Sequence, residues 1–147
     1  MVVADTGPIL AAANRRDELH ELAAALVTAA GRQLAVPDPV VTEVDRLLRD
    51  RVGSVAARRF LDALVSGIHE RLRLGPSLFA RAVAIDRYYA ALDLGLADAS
   101  VMAVAQATNS PILTFDFSHF RAAPPTQGGA WRLVIEEVDY RRWRKGH

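Results

Sequence analysis

The 147-residue sequence predicts an α/β fold, a short and mostly parallel sheet with helices on both faces. Short apolar runs, among them VVA, LAV and PIL, read as strands buried on both sides. The longer segments between them carry apolar residues at helical spacing. Acidic residues close the first and last of these runs, at the strand ends where open α/β sheets gather their ligands.

The elements follow in order. Residues 2–5, VVAD, form a short buried strand, after which Thr6, Gly7 and Pro8 turn the chain into a helix over 8–13. Proline suits a first helical turn, since its fixed φ is helical and its missing N–H is not needed there. Leu19, Leu22, Ala23, Leu26 and Val27 mark a helix over 17–30 that Gly31 ends. A brief apolar run, Leu34 to Val36, leads to PDP, where Asp38 is the expected N-cap and Pro39 a first-turn proline. Val40, Val41, Val44, Leu47 and Leu48 give the helix over 39–50 its apolar face, and a further helix covers 54–66. IHERLRL alternates apolar and charged residues like a half-exposed edge strand. Gly75-Pro76-Ser77 opens a helix over 77–90, and another follows over 96–108. PILTF reads as a strand and HFRAAPPTQGGA as a loop with a short turn at its start. WRLVIE is expected as a last strand, with Trp131, Leu133 and Ile135 on one side.

Length and composition describe one soluble domain with a proper core: 51% of residues are hydrophobic and 24% charged. There is no internal repeat or linker, so residues 1–136 are expected to form one unit, followed by a basic tail over 137–147. No apolar stretch approaches the ~20 residues that span a bilayer, and the opening lacks a basic signal region; a cytoplasmic protein is expected, with no membrane partner. The absence of cysteine excludes disulfides and thiolate metal sites. Net charge is only +1, but arginines gather at Arg15 and Arg16, Arg58 and Arg59, Arg71 and Arg73, and in the terminal RRWRKGH. Each cluster is either an ordinary solvated face or a contact for a polyanion; basic clusters around an acidic pocket suit a phosphodiester substrate.

Four acids carry most of the functional signal. Asp5 and Asp116 sit at strand carboxyl ends, where a helix N-cap and a turn residue are the plain alternatives. Asp98 lies in the first turn of a segment made almost wholly of Leu, Ala, Val and Met, which is expected to be buried. The helix dipole offers such a carboxylate about 0.3–1 kcal/mol, too little to justify burial without a partner. Glu43 borders one edge of its helix's apolar stripe and Asp45 the other, and spacing does not choose between them. Carboxylates brought together repel by about 4 kcal/mol per close pair at an effective dielectric of 20, so a cluster implies a bound cation or raised pKa values. The four histidines show no metal-ligand spacing, and an all-oxygen site favours Mg²⁺ or Mn²⁺ over Zn²⁺. Thr6 and Thr114, next to these acids, are expected to offer supporting hydroxyls.

Taken together, VVADTGPIL, PDPVVTEVDRLL, LGLADASVMAVAQ and PILTFDFSHF resemble the PIN-domain ribonucleases, specifically the VapC-type toxins of toxin–antitoxin pairs, over nearly the whole chain. The resemblance implies a three-layer α/β/α sandwich and metal-dependent RNA cleavage with Mg²⁺ or Mn²⁺. By motif it assigns Asp5, Glu43, Asp98 and Asp116 to the catalytic set, with Asp5, Asp98 and Asp116 as metal ligands. It also implies a homodimer, and a cognate antitoxin that covers or enters the acidic groove. Arg15 and Arg16 are candidate RNA contacts. Other readings are weaker. Asp5-Thr6-Gly7 spells the aspartic-protease triplet, but that chemistry needs an all-β scaffold. A haloacid-dehalogenase-like phosphatase needs an aspartate where Gly7 stands. A PIN-like module that binds RNA or protein without cutting is the non-enzyme alternative.

Overall fold

Four short parallel strands lie in the order β3-β2-β1-β4 at the centre of the computed structural model, which describes residues 1–147. They are β1 (Val2–Ala4), β2 (Leu34–Pro37), β3 (Glu70–Leu72) and β4 (Ile112–Leu113). Between β1 and β2 come α1 (Thr6–Ala12) and α2 (His20–Ala30), and between β2 and β3 come α3 (Asp38–Arg51) and α4 (Ser54–Val65). The helices α5 (Pro76–Tyr88) and α6 (Gly95–Thr108) precede β4, and α7 (Phe117–Ala122) and α8 (Glu137–Gly146) follow it. The result is the expected α/β/α arrangement, all-parallel in its named strands.

Parallel strands need crossovers, and the helices supply them while covering the sheet. Val3, Ala4, Leu34, Val36, Ile112 and Leu113 are fully buried and merge with Val40, Val44 and Leu48 of α3 and with the apolar run of α6 into one core. That core explains the run of small apolar residues in α6: Ala99, Val101, Ala103 and Ala105 are all inside. Gly31 (φ 53°) closes α2 in a conformation that a side chain rarely adopts.

The order of strands fixes where a site forms. The chain steps from β1 to β2 on one side and later returns to place β4 on β1's other edge. The crevice between the carboxyl ends of β1 and β4 is therefore the topological switch point. The ladder extends right to it: the Asp5 amide donates to Leu113 O at 2.9 Å.

Three expectations change after β4. PILTF shrinks to two strand residues, because the Thr114 hydroxyl takes the Asp116 amide at 2.9 Å and bends the chain out of the sheet. WRLVIE, lacking a longer edge to pair with, keeps one parallel bridge, Ile112 with Leu133. Its side chains still alternate, and Trp131 is pinned by an indole N–H donated to Ala123 O at 2.7 Å. HFRA, expected as loop with a short turn, belongs to α7, whose Phe117 and Phe120 turn inward. The basic segment after Glu136 is helix α8.

Candidate active site

Asp5 is the buried centre of the site, with 5% of its surface exposed. Of the roles foreseen for it, the structure shows the helix N-cap. One carboxylate oxygen accepts the Thr6 amide at 2.9 Å as the N-cap of α1, and the other accepts the Thr114 hydroxyl at 2.7 Å. Burial pushes its carboxyl above the usual range; the two hydrogen bonds pull it back, and Asp116 and Glu43 push it up further.

Glu43 and Asp45 separate cleanly. Thr6 donates its hydroxyl to Glu43 Oε2 at 2.6 Å, tying the start of α1 to the second turn of α3. Asp45 faces away and pairs with Arg49 at 3.0 Å. The two threonines expected near the site thus orient carboxylates directly: Thr6 holds Glu43, and Thr114 holds Asp5 and the Asp116 backbone.

Asp98 enters from the first turn of α6 and its carboxyl is pushed up to about 7. Partial burial is the main cause, and the charges of Asp5, Glu43 and Asp116 add to it, whereas His119 acts the other way. Asp5 and Asp98 therefore lie within electrostatic reach of each other and of both Glu43 and Asp116. Asp116, more exposed, caps α7 by accepting the His119 amide at 3.3 Å.

His119 is the residue sequence reasoning left out. Its ring stands between two of the acids, with Nδ1 2.9 Å from Asp116 Oδ2 and 3.5 Å from Asp98 Oδ2. Those approaches do not have hydrogen-bond geometry, so this buried nitrogen lacks a partner. The only signal was the three-residue spacing from Asp116, which faces the two side chains together once α7 is a helix.

No three of these side chains stand in a ready-made metal-binding arrangement. Their chemistry still fits a hard divalent cation. The donors are carboxylate oxygens, burial and then mutual repulsion raise two of the pKa values, and an orphaned imidazole nitrogen faces the same space. A cation, or a water held beside it, answers all three.

Comparison with known proteins bears on this geometry. The family model for the PIN domain matches residues 2–124, every element from β1 through α7. The chain belongs to the PIN-domain family. Among characterised PIN proteins, Ribonuclease VapC26 of Mycobacterium tuberculosis is 29% identical over 134 residues, covering 90% of this chain and 99% of that one. The fold is similar to that of VapC20 from M. tuberculosis, a sarcin–ricin-loop-cleaving toxin, with a TM-score of 0.71 at 20% identity, over 81% of this chain and 94% of that one. A toxin–antitoxin complex from Klebsiella pneumoniae gives a TM-score of 0.63 at 21% identity, over 85% and 94%. The PIN match ends at residue 124, so α8 lies outside it.

Proposed function

We propose that this PIN domain is an endoribonuclease dependent on Mg²⁺ or Mn²⁺, the toxin of a type II toxin–antitoxin pair. The observation that carries this reading is the grouping of acids at the switch point: Glu43 and Asp116 raise the cost of ionising both Asp5 and Asp98, and Asp5 adds to that of Asp98. Asp5, Asp98 and Asp116 would hold a divalent cation, which would supply a Lewis acid for a phosphate oxygen and a more acidic water for attack on phosphorus. The protein's own work is positional. Thr114 keeps Asp5 aimed at the crevice, Thr6 keeps Glu43 beside it, and the first turn of α6 brings Asp98 to the same point.

Partners follow from relatives and from surface chemistry. The similar fold in the Klebsiella pneumoniae toxin–antitoxin complex supports a cognate antitoxin that silences this chain. Phe79 and Tyr88 of α5 and nearby Leu96 remain exposed, which supports a homodimer through that face. Arg15 and Arg16 line an open pocket with Arg51 and Arg59, and none of the four has an ion-pair partner, which supports their contact with RNA phosphates. No helix is long and apolar enough to cross a membrane, and a cytoplasmic setting suits an RNA substrate.

Incubation with total RNA tests the reading. Cleavage that needs Mg²⁺ or Mn²⁺, stops with EDTA and leaves new 5′-phosphate ends is expected, and Asp5→Asn or Asp98→Asn abolishes it in a folded protein. Full activity in either variant would falsify the assignment. RNA binding with no new ends in the unsubstituted protein points instead to a non-catalytic module.

A further inference from the structure

Beyond the matched PIN region the chain continues into α8, which forms one wall of an open groove of about 530 Å³ that also includes Asp116 and Ser118. Glu137, Tyr140, Arg141 and Arg144 recur at three- and four-residue intervals and line the groove together with Lys145, so they share one face of the helix. That face is fixed against the nuclease body. Tyr140 packs on Phe115 and Phe117, with ring centroids 5.3 and 5.0 Å apart, immediately either side of Asp116. Arg144 lies over the Tyr140 ring and reaches Glu18 between α1 and α2 at 2.9 Å. Glu137, the groove's only acid besides Asp116, takes Arg121 of α7 and Arg141.

We propose that α8 is a wall that guides single-stranded RNA, with Arg141, Arg144 and Lys145 binding backbone phosphates next to the bond held at Asp116. The proposal rests on the nuclease reading for the place of the scissile bond. Four clustered carboxylates repel a polyanion, and the strand flanking the cut needs cations that carboxylates do not neutralise. Lys145 has no ion-pair partner. Arg141 and Arg144 are well exposed, and each guanidinium has five N–H donors, enough to keep a carboxylate and accept a phosphate as well. From Arg141 to Lys145 the helix rises only ~6 Å, so the three charges lie along one path. The three cations share their groove with Asp116, which favours the substrate over a protein partner.

Binding of a short, labelled, mixed-sequence RNA to the full chain tests this, with Asp98→Asn in every protein so that the RNA stays intact. The expected result for Arg141→Gln/Arg144→Gln/Lys145→Gln is roughly tenfold weaker binding, with the slope of log affinity on log salt shallower by about 2, near 0.7 for each single-strand phosphate no longer neutralised. Lys145→Gln alone has no ion pair to break and is expected to weaken binding about threefold with a proportionate change in slope. An unchanged slope in both variants overturns the proposal, as does a lowered melting temperature with RNA affinity intact, the mark of a mere brace. So does normal RNA binding with abolished binding to poly-glutamate, the mark of a protein-docking face. If the unsubstituted protein cuts no RNA yet shows these slopes, the nuclease reading fails and the wall stands.

Discussion

Thr114 joins the two strands that make the site. Its hydroxyl donates to Asp5 Oδ2 and accepts from the Asp116 amide, and no part of the side chain is exposed. Thr114→Val keeps the shape and removes both bonds, leaving a polar backbone group unmatched at a cost of about 1–3 kcal/mol. The expected outcome is a lower melting temperature and at least ~tenfold slower RNA cleavage, while Thr114→Ser, which keeps the hydroxyl, retains most of both. Wild-type cleavage by the valine variant rules out an orienting role. The acids themselves were legible as residues: Asp5 and Asp116 because each ends an apolar run, Asp98 because it interrupts a segment otherwise fit only for the core. Their supports were not. Thr6 and Glu43 are 37 positions apart, Asp5 and Thr114 109, and no local pattern encodes such a pairing. Nor could spacing separate Glu43 from Asp45, since both border one apolar stripe; the first turn of α1, packed nearby, decides it.

Elements were readable wherever local periodicity and core burial agree. The helices α3 and α6 fall within a residue or so of their expected limits, because their apolar faces are also the faces buried. Agreement fails after β4. Alternation in WRLVIE is real, yet a strand needs an edge, and β4 offers two residues. The loop reading of HFRA overlooked Asp116 as a helix cap and the three-residue spacing of Phe117 and Phe120. The junction of α3 and α4 gives a test at this scale. Gly53 has φ 138° and ψ 168°, a region all but reserved for glycine, and no atom crowds the place a Cβ takes. Gly53→Ala therefore carries backbone strain alone, about 1–3 kcal/mol, which lowers the melting temperature by several degrees in a chain of this size. Calorimetry measures it; an unaltered melting temperature means the junction relaxes freely. Cleavage well below the melting temperature is expected to persist, since the junction lies two turns of α3 from Glu43.

At the scale of the whole molecule, the acidic crevice links folding to protons and, on the proposed function, to metal. Without a cation, Asp5 and Asp98 have folded-state pKa values above those of the unfolded chain, Asp98 at about 7. The ordinary aspartate value is ~3.9, so between that limit and about 7 the folded protein holds more protons than the unfolded one. Stability in EDTA must then fall as pH rises through this window, opposite in sign to the usual salt-bridged carboxylate. A divalent cation reverses the preference, because it binds ionised carboxylates and only in the folded state; its stabilisation grows with pH and levels off once Asp98 is ionised. Melting temperatures measured from about pH 5 to about pH 8 are expected to decline in EDTA and to recover with Mg²⁺, most at the alkaline end. Asp98→Asn removes one of the two groups with a raised pKa and is expected to make the EDTA profile shallower while losing most of the gain from Mg²⁺. If Mg²⁺ leaves the melting temperature at about pH 8 where EDTA puts it, the crevice does not hold a metal, and the raised carboxylates then need a different partner.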